Sequence, residues 1–256
     1  MKTHRVFLLL AIFVSSLSCQ FLMPSRVGGV ISDCANIVSG VANLLAGSIP
    51  QHLLDTGTKQ GDEFDVNRYF DVTTHISMRQ GYALDYVYQT DSLGAYPLLY
   101  AHPSNQAPYT SIADIPENTQ LLDFLEYLEV EDVEHGYFEY VVMDIMAGQY
   151  YLDWHANYND IEIVCNRAEV DEIVASVSSD DFGNAMGLAE QTKARTMRNI
   201  EPVVRLTGDN AAVEVVVFTK WGGFYRYTYT ISRGLPHTIM DLKQENLVPY
   251  DCGVMF

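Results

Sequence analysis

Val203 to Ile231 reads VVRLTGDNAAVEVVVFTKWGGFYRYTYTI, and its period decides the fold. Tyr225, Tyr227, Tyr229 and Ile231 alternate with Arg226, Thr228 and Thr230. That two-residue repeat belongs to a strand with one face in a core and the other in water. Gly208-Asp209-Asn210 and Trp221-Gly222-Gly223 are turn sequences. Strands are therefore predicted over Val203–Leu206, Ala212–Lys220, Phe224–Ile231 and Thr238–Leu242, joined as an antiparallel meander.

The pattern extends upstream. Tyr82, Leu84, Tyr86 and Tyr88 share one strand face, and Tyr96–Tyr100 follows the turn signal Asp91-Ser92-Leu93-Gly94. Tyr137–Met146 is apolar on both faces, which predicts a central strand. Ala147-Gly148-Gln149 would turn it back into a strand over Tyr150–Tyr158, and Ile161–Cys165 would continue the sheet.

Helical spacing appears in fewer places. Ile31, Cys34, Val38, Val41 and Leu45 recur at steps of 3, 4, 3 and 4, predicting a short amphipathic helix that ends near Gly47 and before Pro50. A polar loop is expected over Gln51–Glu63. Asp114, Pro116 and Glu117 have the order of a helix start ahead of Leu121, Phe124, Leu125 and Leu128. Asn166 and Glu169 repeat that logic before Val170, Ile173, Val174 and Val177. A further helix is expected over Phe182–Arg198. Together these elements predict an α+β fold, a largely antiparallel β-sheet with helices packed on one face.

The N-terminus has a different character. Lys2, His4 and Arg5 precede an unbroken apolar run, Val6–Val14, and then Ser15, Ser16, Leu17 and Ser18. The run has nine residues, whereas spanning a bilayer takes about 20, so residues 1–18 read as a signal peptide. Ser16-Leu17-Ser18-Cys19 resembles a bacterial lipoprotein lipobox, with Ser16 standing where Leu is usual. The resemblance implies lipid attachment at Cys19 and a membrane-anchored, cell-envelope location. Ser16 and Ser18 equally suit an ordinary secretory cleavage, which leaves the protein free outside the cytoplasm. Residues 19–60 are then expected to be a tether carrying the short helix, and 61–256 a single α+β domain.

Fifteen basic and 33 acidic residues give a net charge of −18. A surface this acidic repels phosphate backbones, which argues against nucleic-acid binding. The four cysteines, Cys19, Cys34, Cys165 and Cys252, contain no CxxC pair, so a disulfide is expected rather than a metal knot. Cys165 with Cys252 is the favoured bridge because both lie in the folded body, leaving Cys34 free and buried. An unmodified Cys19 would make Cys19–Cys34 available.

No GxSxG, HExxH, GxGxxG or P-loop occurs, and no cofactor motif is found. Asp65-Val66-Asn67-Arg68-Tyr69 begins like a calcium loop but lacks the required Gly and the closing Glu, so no metal site is assigned. The best polar constellation is Asp144, Asp153 and His155, which a hairpin centred on Gly148-Gln149 would align on one face. Its chemistry would be that of a secreted metal-dependent or carboxylate-using hydrolase. Tyr82, Tyr86, Tyr88, Tyr225, Tyr227 and Tyr229 are the ligand-binding candidates, able to line a concave aromatic face. His75, His102, His135 and His237 read as surface or capping residues.

The favoured function is an exported, non-enzymatic binding or structural module for a small-molecule or protein ligand. Intact-mass analysis of the chain expressed in a bacterium should find Met1–Ser18 removed; a full-length mass in the cytosol would overturn the export reading.

Overall fold

The structure is a computed structural model that describes residues 28–91, 94–153, 161–178 and 183–254. The expected signal peptide, Cys19 and His155 lie outside those residues. In chain order the first elements are β1 (Gly29–Val30), α1 (Cys34–Leu45), α2 (Gln51–Thr56), β2 (Ile76–Met78), β3 (Tyr82–Asp91) and β4 (Gly94–Pro103). Next come β5 (Leu128–Val130), α3 (Glu134–Met146), β6 (Glu162–Val164), α4 (Arg167–Ser178) and α5 (Leu188–Arg195). The chain closes with β7 (Val203–Thr207), β8 (Asn210–Thr219), β9 (Gly223–Ser232) and β10 (Ile239–Pro249).

The meander forms as its period requires. β7, β8, β9 and β10 pair antiparallel in that order, β1 extends the edge beside β7, and β6 pairs with the far half of β8, giving six strands. Two smaller antiparallel pairs, β2 with β5 and β3 with β4, complete the strands. Along β8, Val213, Val215 and Val217 enter the main core, while Val216 and Phe218 enter a second cluster. Alternation has thus sorted one strand's side chains onto two covered faces. The α+β class is as the sequence predicts. Its helical cover is divided, with α1 and α3 on the main core and α4 with α5 on the smaller cluster behind. Among the described residues no helix is long and apolar enough to cross a membrane.

Several local expectations are corrected. Tyr137–Met146 is not a strand but most of α3, whose residues are almost all buried. A largely apolar run looks alike in a central strand and in a helix covered on nearly every side. Gly136 permits the close packing here, since a Cβ at that position would come within 2.3 Å of the Glu131 carbonyl oxygen. With α3 helical, no hairpin is centred on Gly148-Gln149, and residues 150–153 form no strand. The helix expected after Asp114 is likewise absent. A 3-10 turn, Ile112–Asp114, stops there, and a second, Phe124–Tyr127, leads into β5. The Asp114 carboxylate reaches back to Thr110 and Ser111 rather than forward, and Asn118 takes a left-handed backbone, φ 65°, which a right-handed helix cannot include. In the expected polar loop, Gln51–Thr56 is helical and is stopped by left-handed Gly57. The later helix spans only Leu188–Arg195.

The disulfide joins Cys34 to Cys165, with Cα atoms 5.6 Å apart, and Cys252 is a buried free thiol. The expected Cys165–Cys252 bridge is thereby overturned. Val164 pairs with Val216, whereas the Cys252 N–H donates to the Lys220 carbonyl at the far end of β8. The two cysteines are therefore spaced along one strand by roughly 15 Å, beyond the reach of a bridge. The bond instead fastens the first residue of α1 to the end of β6. A disulfide of this kind is what an oxidising, extracytoplasmic location preserves.

Peptide mapping without reductant should link the Cys34 and Cys165 peptides and find Cys252 alkylated only after denaturation. Because the bridge closes a separation of 131 residues, Cys34→Ala should cost about 2–5 kcal/mol in chemical unfolding.

Candidate functional site

The free edge of β3 is closed by a side chain. Asn67 donates from Nδ2 to the Leu84 carbonyl (3.0 Å), and its Oδ1 accepts from the Leu84 N–H (3.3 Å), in the manner of a short strand. Asp65 fixes this residue by accepting from the Asn67 backbone and side-chain nitrogens, both at 3.0 Å. Lys59 is held opposite, its N–H donating to the Thr110 carbonyl at 2.9 Å. Between these walls lies a cleft of about 470 Å³ lined by Lys59, Glu63, Asp65, Asn67, Asp85 and Tyr86, among others.

Three groups at the bottom are set against one another. Lys59 and Asp85 form a mostly buried ion pair, and the Lys59 Nζ also lies 4.7 Å from the centre of the Tyr86 ring, within range of a cation–π contact. Asp85 further accepts from the Tyr86 N–H at 2.6 Å. The Tyr86 ring meets Tyr150 edge-on at 5.1 Å. Its Oη is buried and, like that of Tyr150, has no hydrogen-bond partner among the described residues. Burial first, and then the charges of Glu63 and Asp85, push the Tyr86 hydroxyl far above its ordinary value, so it stays protonated and remains a donor. Counting Glu63, Asp65 and Asp85 against Lys59, the cleft is net negative and disfavours anions.

Glu63 forms a second polar knot at the wall. His52 Nε2 lies 2.5 Å from Glu63 Oε1, which also accepts from the Gln60 N–H at 2.5 Å, while Oε2 accepts from the Gly61 N–H at 2.9 Å. Burial alone would raise the carboxyl, but these bonds outweigh it and hold Glu63 below its ordinary value. His52, Asp62 and Glu63 present ligand atoms within 4.8 Å of one another. The Glu63 oxygens are already committed to the loop, and Asp62 points largely into solvent, so the group reads as a clasp.

The six tyrosine candidates do not share a concave face. Tyr88, Tyr227 and Tyr229 are buried in the main core, the Tyr88 hydroxyl donating to the Tyr151 carbonyl at 2.6 Å. Tyr82 meets Tyr127 at a tilt with centroids 4.4 Å apart, and Tyr225 sits half-buried with its ring centroid 6.2 Å from that of Tyr227. Of the six, Tyr86 lines this cleft and Tyr88 lines a smaller one of about 190 Å³. Asp144 and Asp153 are also placed apart. Asp144, on α3, accepts from the Tyr229 hydroxyl at 2.8 Å, whereas the Asp153 backbone is bound to Ala95 on β4 and its carboxylate acts on Tyr88. Neither belongs to a metal-capable cluster among the described residues.

Of the histidines, His102 and His237 do bond to backbone carbonyls, at 3.0 Å each. His75 and His135 are brought together, ring centroids 5.3 Å apart. The sequence signal for that pair was the spacing of His135 and Glu139, one helical turn apart on α3, which reading the segment as a strand conceals. No known family, curated protein or solved structure matches the chain, so the chemistry of its own side chains carries the functional argument.

Asp144 supplies a test of this placement. Burial, opposed by the Tyr229 bond and aided by the charge of Asp123, raises its carboxyl above the ordinary value. A carboxyl raised by folding stabilises the fold below its unfolded value and loses that contribution as pH rises through the folded one. Asp144→Asn, which keeps an acceptor for Tyr229, should therefore increase thermal stability relative to wild type progressively from acid to neutral pH. A pH-independent difference would contradict it.

Proposed function

We propose that this chain is an exported ligand-binding module whose recognition element is the cleft at Tyr86. The observation that carries the reading is a buried hydroxyl without a partner among the described residues, on a side chain that lines an open polar cleft. A buried donor left unpaired costs about 1–3 kcal/mol, and such groups are rare enough in folded proteins to call for a reason. A ligand that accepts from Tyr86 Oη supplies one. Tyr86 is 2% exposed, so the bond would form away from competing water.

The lining narrows the ligand class. Excess carboxylates favour a neutral or cationic molecule, and the Lys59–Asp85 pair offers one donor and one acceptor side by side. A small polyol or amine of a few hundred Å³ suits the cleft. Export is supported by the Cys34–Cys165 bond together with the signal-like N-terminus. Lipid attachment at Cys19 belongs to the same proposal and would hold the module at a membrane surface.

Saturation-transfer NMR with neutral polyols and aliphatic amines tests the reading. Hits should perturb Lys59, Asp85 and Tyr86 in the protein's own spectrum, and Tyr86→Phe should weaken them about tenfold, the worth of one dry hydrogen bond. The same substitution should stabilise the free protein by about 1 kcal/mol, because it removes a polar group that burial leaves unpaired. Tyr88→Phe, which forfeits a made bond, should destabilise by a similar amount. Binding that maps elsewhere, or a Tyr86→Phe variant that is both less stable and unimpaired, defeats the proposal.

A further inference from the structure

His75 precedes β2 and is gripped by a buried carboxylate. Glu139, 1% exposed inside α3, accepts from the His75 N–H at 2.7 Å through Oε2 and from its Nδ1 at 2.8 Å through Oε1. One turn earlier on α3, His135 presents Nε2 to the Asp33 carboxylate at 2.9 Å. Asp33 stands at the N-terminus of α1. Three separate elements therefore contribute to a single row, Asp33, His135, His75 and Glu139.

Carboxylates only accept, so the ring nitrogen facing each one carries the proton. The lone pairs are then left on His75 Nε2 and His135 Nδ1, and neither nitrogen has a protein partner among the described residues. Both side chains remain about one-third open to solvent, at 34% and 35%. A histidine whose second nitrogen donates to a carboxylate is the arrangement found around bound metals, where it fixes the tautomer and makes the ring a better ligand. Here two such rings are adjacent.

Their spacing agrees. With metal–nitrogen bonds of about 2.0–2.1 Å and roughly 1.1 Å more to each ring centre, two imidazoles on a tetrahedral ion have centroids about 5 Å apart. The observed separation is 5.3 Å. The carboxylates of Asp33 and Glu139 would balance a double charge. Imidazole donors select late first-row ions over magnesium or calcium.

We propose that His75 and His135 bind one divalent transition ion, zinc or copper in chemical class, with water completing its coordination. The ion would tie α3 to the strand that follows His75, while Asp33 and Glu139 act as positioning residues. This site is separate from the Tyr86 cleft and does not depend on it.

The test uses the full chain and the metal alone. Calorimetric titration with Zn²⁺ should give one site, and Cu²⁺ EPR should show coupling to two imidazole nitrogens. H75Q and H135Q should each weaken binding more than tenfold, and D33N by about tenfold through orientation alone. H52Q should leave affinity unchanged, separating this site from the His52, Asp62 and Glu63 group. Should a histidine variant fail to fold, histidine side-chain NMR of the unsubstituted protein decides: substoichiometric Cu²⁺ must broaden His75 and His135 first. No saturation by millimolar metal, binding that survives H75Q/H135Q, or early broadening at other histidines would overturn the site.

Discussion

Polar side chains on α3 must find partners inside the protein, because α3 is covered on nearly every side. A buried polar group costs free energy unless it is bonded, and a buried charge costs more unless it is paired. Glu139 meets that demand through His75, and Asp144 through the Tyr229 hydroxyl on β9. Tyr140 donates to the His237 carbonyl at 3.2 Å, and Tyr137 to Asp132 at 3.1 Å. The first three bonds reach His75 before β2, Tyr229 on β9 and the loop after β9, whereas Asp132 immediately precedes α3 and reaches outward through Arg233. Apolar burial draws the strands and α1 towards α3 without choosing an angle or a register, and the three long-range directional contacts help to make that choice. Breaking the Glu139 pair would leave a carboxylate stranded in the core, the costliest of the four losses.

α1 belongs to the same construction and not to a separate tether. Cys34, Ile37 and Val41 bury their side chains in the main core, the disulfide fixes the first turn to the end of β6, and Asp33 bonds to His135 on α3. A covalent bond and a carboxylate–imidazole bond act on neighbouring residues of α1, so the orientation of His135 inherits the rigidity of the disulfide.

The sequence was legible where one face of an element meets water. Tyr227, Tyr229 and Ile231 alternate with threonines and an arginine, so the register of β9 shows in the residues themselves. Val170, Ile173, Val174 and Val177 do the same for α4. In α3 no solvent face interrupts the apolar run, and period two and period 3.6 fit Tyr137–Met146 equally well. That single ambiguity propagated: it created a hairpin that aligned Asp144 with Asp153, and it dissolved the four-residue spacing of His135 and Glu139. The disulfide was hidden for a different reason. Which cysteine meets Cys165 depends on where β6 docks along β8, a long-range fact with no local trace. Tyr86 was visible as a strand aromatic, but its five fellow candidates belong to two sheets and cannot act together.

The two sites express opposite departures from satisfied burial. At Tyr86 the protein holds a donor with no acceptor among the described residues, a cost that a ligand would relieve and that Tyr86→Phe would abolish. In the Asp33 to Glu139 row every proton has an acceptor, and what remains unused is a pair of lone pairs at the surface, where water satisfies them cheaply. The first arrangement costs the fold stability in the absence of a ligand, as the equally unpaired Tyr150 hydroxyl does. The second costs the fold little, so persistence alone says nothing about its use, and the case rests on geometry: two rings, each oriented by its own carboxylate, with centroids at a separation compatible with one shared tetrahedral ion. Stability measurements can therefore interrogate the cleft, whereas only metal itself can interrogate the histidines.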